Sequence, residues 1–227
     1  MTIMTARKID GAPSVENLTL SDPLHITSNR EAKHVLTNSS SSTPDGEQID
    51  DDMIIPGIKF VNYRDESQID CVMRLVGRDL SEPYSVFTYR YFLHRYPQLC
   101  IFAVPENDTS DDPEPIGCIV CKIDPDECEQ GVEVEQDIGE PKLCGYIGML
   151  AIDTSYRRSG IGSALAKRAV RRMANMGCSS IILETEVTNK AAMKLYEEKL
   201  GFMREEFLVR YYLNNNDAYR LRLWLKE

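Results

Sequence analysis

Tyr156-Arg157-Arg158-Ser159-Gly160-Ile161-Gly162 has the makings of an anion-binding turn. It follows an apolar run, Tyr146-Ile147-Gly148-Met149-Leu150-Ala151-Ile152, that reads as a strand. It leads into Ile161, Ala164, Leu165, Ala169 and Met173, apolar positions at helical spacing. Where a strand runs through glycines into a helix, backbone N–H groups converge at the positive end of the helix dipole. Glycine then lets the backbone touch a ligand. Arg157 and Arg158 add charge suited to phosphate. No Gly-Lys-Ser/Thr follows and there is no third glycine, so neither the Walker loop nor the dinucleotide fingerprint applies. A pyrophosphate-bearing cofactor remains, and coenzyme A fits.

The elements that must position this loop can be read from periodicity and punctuation. Ile58 to Tyr63 alternates as a strand. Gln68 to Leu80 has helical spacing at Ile69, Val72, Met73, Val76 and Leu80, and Pro83 closes it. Ser85 to Tyr96 is a second helix stopped by Pro97, and 99–104 and 116–123 are strands. A helix over 159–175, a short strand Ser180–Leu183, and a helix Lys190–Leu200 capped by Asn189 follow. Phe202–Tyr212 and Ala218–Leu225 close as an antiparallel pair. Asp124 to Pro141 is acidic and aperiodic, a loop inserted in a hairpin. Residues 1–52, with the polar run Thr37 to Thr43, are expected to form a disordered tail ahead of one domain over 53–227.

The net charge of −10 hides two populations. Residues 1–52 hold nine acids and four bases, and 105–141 hold thirteen acids and one base. The other segments hold fourteen acids and twenty-one bases, a balance of +7 that suits a phosphate-rich cofactor. No aromatic-basic interleaving supports direct nucleic-acid readout. No apolar run reaches the roughly 20 residues that span a bilayer, and no secretory signal pattern opens the chain, so a cytoplasmic, non-membrane protein is expected. The seven cysteines are then reduced thiols. Cys118 and Cys121 face opposite sides of a strand and lack a second ligand pair, so they read as core and no metal is expected. With three histidines, none placed for catalysis, a general base must be a carboxylate, a tyrosine or water.

Arg157-x-x-Gly160-x-Gly162 resembles the acyl-CoA signature of the GNAT superfamily of N-acetyltransferases. Further resemblances are Asn189-x-x-Ala192-x-x-x-Tyr196, Leu200-Gly201-Phe202, Arg210-Tyr211-Tyr212 and Asp217-Ala218-Tyr219. With Leu80-Ser81-Glu82-Pro83-Tyr84-Ser85 and Tyr89-Arg90-Tyr91-Phe92-Leu93, they are similar to the catalytic subunits of NatC-type N-terminal acetyltransferases. The resemblance covers about 57–104 and 115–226. It implies an α/β (α+β) GNAT fold, a central mixed seven-stranded sheet flanked by about four helices. It also implies acetyl transfer from acetyl-CoA to the α-amine of nascent chains that begin with Met and a bulky residue (Leu, Ile, Phe, Trp). Partners would be a large scaffold subunit, a small Sm-like subunit and the ribosome. A GNAT enzyme for another amine (a Lys side chain or another N-terminal class) and a non-enzymatic CoA-binding module are the rival readings.

The same resemblance assigns residues. Cofactor contacts fall on Met149, Leu150, Ala151, Ile152, Arg157, Arg158, Ser159, Gly160, Ile161, Gly162, Asn189 and Tyr196. Glu184 sits where the family has its base. By composition alone it would be a carboxylate at a strand end, solvated or paired with a basic side chain, and partial burial would raise its pKa. Glu186 is the alternative on the same face. Tyr196 would hydrogen-bond the sulfur of the leaving thiolate, against a reading as a core aromatic. Tyr146 either lies near the amine or packs as a strand residue. Glu82 and Tyr84 would cover the peptide on one side, and Tyr211 and Tyr212 on the other. As consecutive strand residues, at most one of that pair would point directly into the groove while the other packs or shapes it.

Overall fold

Leu143–Ile152 form β5, the central strand, and nine of its ten residues are buried, as a strand covered on both faces requires. The coordinates are a computed structural model that describes residues 3–4, 54–78, 84–110, 113–124 and 142–225. The described residues belong to one compact unit. The tail beyond Ile3–Met4, Leu80, Glu82 and the insertion over 125–141 lie outside the described residues.

The elements run β1 (Ile3–Met4), β2 (Ile58–Asn62), α1 (Ile69–Gly77), α2 (Val86–Arg95), β3 (Cys100–Pro105), β4 (Gly117–Asp124), β5, α3 (Ile161–Asn175), β6 (Cys178–Glu186), α4 (Lys190–Met193), β7 (Met203–Leu208) and β8 (Ala218–Trp224). Seven strands make a mixed sheet in the order β2-β3-β4-β5-β6-β8-β7, in which β5 and β6 alone run parallel. β1 is an addition on β5 that the sequence did not suggest. α3 packs on one face of the sheet through Ile161, Leu165, Ala166, Ala169 and Met173. α1 and α2 contact β4 and β5 as well. Ser85 caps α2, its Oγ accepting from Thr88 N at 3.4 Å, and Pro97 begins the next turn.

β5 carries the irregularity that makes the site. Against β4, Met149 pairs with Val120 and Ile147 with Cys121, so Gly148 is an extra residue. The alternation slips by one there. Ile147 before the bulge and Leu150 and Ile152 after it all join the core cluster that contains α3. A Cβ on Gly148 would meet the Phe92 ring at 2.9 Å and the Val120 carbonyl at 3.4 Å, so the position has no room for a side chain. Pairing between β5 and β6 ends at Tyr146–Ile182, just before the bulge. Beyond it the two strands part.

Three elements differ from the sequence reading. β6 extends over nine residues rather than four. The helix predicted over Lys190–Leu200 is one α turn followed by a π-helix, Lys194–Lys199. β7 stops at Leu208, so Tyr211 and Tyr212 lie in the β7–β8 connection and not on a strand.

Candidate active site

The phosphate end is a continuous piece of chain. Asp153 caps the turn after β5, its side chain accepting from Ser155 N at 2.9 Å. Arg158 (φ 67°) and Gly160 (φ 91°) then take left-handed backbone and turn the chain into α3. Gly160 stands at the N-cap with no side-chain cap hydrogen bond, so the first-turn N–H groups of α3 are not satisfied by a capping side chain. They border a cavity of about 660 Å³ whose walls include Ile152, Arg157, Arg158, Gly160, Ile161 and Gly162. Lys190, Lys194 and Lys199 line the other side. Glycines, uncapped N–H groups and cations fit a phosphate-bearing ligand, and coenzyme A meets that description.

Not all predicted contacts line this cavity. Ser159 Oγ donates to the Tyr156 carbonyl at 2.6 Å. Asn189 is the N-cap of α4, its Oδ1 accepting from Ala192 N at 3.2 Å. Arg157 Nε donates to the Ile152 carbonyl at 3.1 Å, and burial lowers the guanidinium pKa. Its charge is thus anchored to the end of β5. Met149, Leu150 and Ala151 lie further up the strand, on the stretch that β6 has left. That edge carries β1, with Ile3 opposite Leu150 and Met4 opposite Met149, antiparallel.

The second cluster lies where β5 and β6 part. Glu184 is fully buried. Its Oε2 accepts from the Tyr146 hydroxyl at 3.0 Å, and its Oε1 accepts from Arg220 Nε at 3.0 Å. The partial burial expected for Glu184 is therefore complete, and the carboxylate is ion-paired. Tyr146 is 2% exposed, and burial first, then the Glu184 charge, push its pKa well above the usual phenol value. The phenol is neutral at any physiological pH. Its proton lies on the Glu184 side, which leaves the oxygen lone pairs to face a substrate. Glu186 sits at the strand end instead, accepting from Asn214 Nδ2 at 3.2 Å and Thr188 Oγ1 at 3.3 Å.

Tyr196 is fully buried, and its hydroxyl has no hydrogen-bond partner. An orphaned buried hydroxyl costs about 1–3 kcal/mol, which is tolerated where a ligand completes it. Burial drives its pKa far up, so it is a hydrogen-bond donor and not an anion. The ring packs against Phe202 at 5.4 Å, held by the π-helical turn. On the other side Tyr84, Tyr211 and Tyr212 cluster with Leu208 and Ala218. The Tyr211 and Tyr212 rings meet edge-on at 5.1 Å and share one cluster, so the opposite-face expectation fails for want of a strand. Tyr84 and Tyr211 both lie close enough to act electrostatically on Tyr146.

The sequence reading missed Arg220 and the three lysines. Each left a trace. Arg220 and Arg222 alternate with Leu221 and Leu223, so one face of an inner strand is cationic and needs carboxylates opposite. Lys190 and Lys194 are spaced four apart and share one helical face.

Comparison with known proteins agrees with this geometry. A model of the Acetyltransferase (GNAT) family matches residues 69–202. The chain is 48% identical over 171 residues to N-alpha-acetyltransferase 30 of Xenopus laevis, covering 74% of this chain and 55% of that protein. It is 44% identical over 169 residues to N-alpha-acetyltransferase 30 of Saccharomyces cerevisiae, covering 74% of this chain and 88% of that protein. A chain in the crystal structure of the NatC complex bound to Gag peptide and CoA superposes with a TM-score of 0.64 at 43% identity, over 74% of this chain and 99% of that chain. The chain belongs to the GNAT acetyltransferase family. It spans about half the length of the vertebrate relatives it matches, 55% of the Xenopus laevis protein and 46% of the Homo sapiens one.

Proposed function

We propose that the protein is an N-terminal acetyltransferase of the NatC type. It transfers acetyl from acetyl-CoA to the α-amine of chains that begin with Met and a bulky apolar residue. The observation that carries this is the buried Tyr146–Glu184 pair where β5 parts from β6, on the strand whose far end leads into the uncapped start of α3. The α3 loop and Lys190, Lys194 and Lys199 hold the phosphates, and the backbone of Met149 and Leu150 takes the pantetheine arm and polarises the thioester carbonyl.

The free α-amine has a pKa of about 7.7–8.0, so an appreciable fraction is nucleophilic at neutral pH. The protein orients it and removes a proton. Tyr146 accepts the amine N–H on its oxygen and passes its own proton to Glu184 Oε2. Tyr196 donates to the departing thiolate. Tyr84, Tyr211 and Tyr212 border the incoming peptide; the NatC reading adds Glu82 to them from sequence alone. Likeness to a chain of the NatC complex supports work within a multisubunit assembly; the scaffold, the small Sm-like subunit, the ribosome and the cytosolic setting are what the NatC reading adds.

The test is release of CoA thiol from acetyl-CoA with a peptide panel. Met-Leu and Met-Ile peptides should turn over. A blocked N-terminus with a free Lys side chain should not. Turnover only on the Lys peptide moves the chain to another amine class. CoA binding with no turnover on any peptide, with and without partner subunits, leaves a binding module.

A further inference from the structure

We propose that Arg220 is a positioning residue for acyl transfer, fixing Glu184 as a buried, ionised proton acceptor aimed at Tyr146. The proposal rests on the acetyltransferase reading above. The geometry is a chain across three strands. Tyr146 (β5) donates to Glu184 (β6) at 3.0 Å, and Arg220 (β8) donates its Nε to the other Glu184 oxygen at 3.0 Å. Arg220 Nη1 donates outward to Glu206 (β7) at 3.2 Å. Glu184 and Arg220 are opposite each other in the β6–β8 register, so the pairing is built into the sheet.

A carboxylate with no exposed surface is driven to its neutral form unless a cation holds it. A protonated Glu184 could not receive a proton from Tyr146, and the relay would stop before it began. Arg220 is the cation the structure places on it. Burial works against the guanidinium charge, but Glu184 and then Glu206 outweigh it and raise the Arg220 pKa. The fork also leaves Glu184 Oε2 as the oxygen that takes Tyr146. Other groups face the cluster: Tyr84 and Tyr211 on the peptide side, and Lys122 over the Tyr146 ring at 5.3 Å. Lys122 is itself paired with Asp124 at 2.9 Å. The lysine is paired with Asp124, so Arg220 is the cation the structure sets against Glu184.

Arg222, two residues on, is the comparison within the same strand. Its partners are Glu205 at 2.6 Å, Ser180 Oγ at 2.8 Å and Cys144 Sγ at 3.7 Å. Its loss should cost stability without touching the relay.

The experiment uses Arg220→Gln, Arg220→Lys and, as control, Arg222→Gln. General base catalysis contributes about 10²–10⁴-fold. Arg220→Gln keeps the carboxyl but removes the cation that pairs with it, so kcat on a Met-Leu peptide should fall about ten- to hundredfold. The KM for acetyl-CoA should be unchanged, because Arg220 does not line the phosphate cavity. The acidic limb of kcat/KM should move to higher pH. Arg220→Lys should restore part of kcat and return the limb toward its original place, and Arg222→Gln should leave the limb where it is. The substrate amine titrates identically in all of them, so differences report the enzyme. Infrared spectra of the substrate-free proteins give a second readout. Arg220→Gln should show a protonated-carboxyl band at neutral pH that disappears when Glu184→Gln is added. An unmoved limb, or the absence of that band in a folded variant, overturns the proposal. If no peptide turns over with the unmodified protein, with or without partner subunits, the acetyltransferase reading fails, while the infrared comparison still decides whether Arg220 keeps Glu184 ionised.

Discussion

The two ends of the site are built differently. The phosphate end centres on one run of chain from Ile152 to Ser163, open to solvent and faced by Lys190, Lys194 and Lys199. The reaction end is dry and assembled from β5, β6, β8 and the turn at Tyr196. Binding a phosphate is mainly a backbone property: a helix start without a cap, a glycine at positive φ, and nearby charge. Moving a proton needs fixed distances between side chains that are far apart in sequence. The first can be carried by a short motif, whereas the second exists only once the sheet register is set.

The largest effect should fall on the reaction end. Glu184→Gln keeps the shape and the Tyr146 and Arg220 neighbours but removes the acceptor, so kcat should drop about 10²–10⁴-fold. The acetyl-CoA KM should hardly change. Glu186→Gln should stay within a few-fold of normal, because Glu186 is tied to Asn214 and Thr188 at the strand end. The reverse ranking in steady-state kinetics would move the acceptor to Glu186.

Tyr196→Phe separates catalysis from stability. The hydroxyl is buried with no hydrogen-bond partner, so deleting it relieves a cost and should raise unfolding stability by about 1 kcal/mol. The same deletion should lower kcat about tenfold, the worth of one hydrogen bond to a charged leaving group. Loss of both activity and stability, measured by denaturant unfolding, would reduce Tyr196 to a core aromatic.

Changes at the phosphate end should act on KM. A Cβ at Gly162 would lie 3.7 Å from Ile152, ordinary contact, so Gly162→Val should fold normally. Its branches would occupy the cofactor's space, and losing one charge-assisted hydrogen bond of about 1.5–3 kcal/mol raises KM roughly tenfold or more. Lys194→Glu should raise KM only a few-fold, and less as salt is added, because an exposed charge is worth about 0.2–1 kcal/mol. A change in kcat with KM intact would erase the distinction between the ends.

This division also explains what could be read in advance. The α3 apolar positions, the Asn189 cap and the order of strands and helices from β2 onward followed from local periodicity and capping chemistry, and all are present. Glu184 and Tyr146 were named from family likeness, but their hydrogen bond depends on the β5–β6 register. Arg220 escaped notice because its role comes from the residue opposite on another strand. Tyr211 and Tyr212 were misjudged because nothing local marks Leu208 as the end of β7. The π-helical turn was invisible because Lys194–Lys199 has an ordinary helical composition.

The smallest effect tests the edge between the ends. Ile3–Met4 pair with Met149 and Leu150, the edge assigned to the pantetheine arm. Two ligands for one strand edge compete. When a competitor fills the site for part of the time, apparent affinity falls by the free fraction. A two-residue strand is marginal, so occupancy near one half is the reasonable scale. Deleting residues 1–8 should then lower the apparent acetyl-CoA KM about twofold with kcat unchanged. Deleting 9–52 while keeping 1–8 tests the strand apart from the rest of the tail, and KM should change less. Equal KM values for the full chain and the 1–8 deletion would show that the segment does not hold the edge in solution. A higher KM after deletion would mean that it supports β5 instead of competing for it.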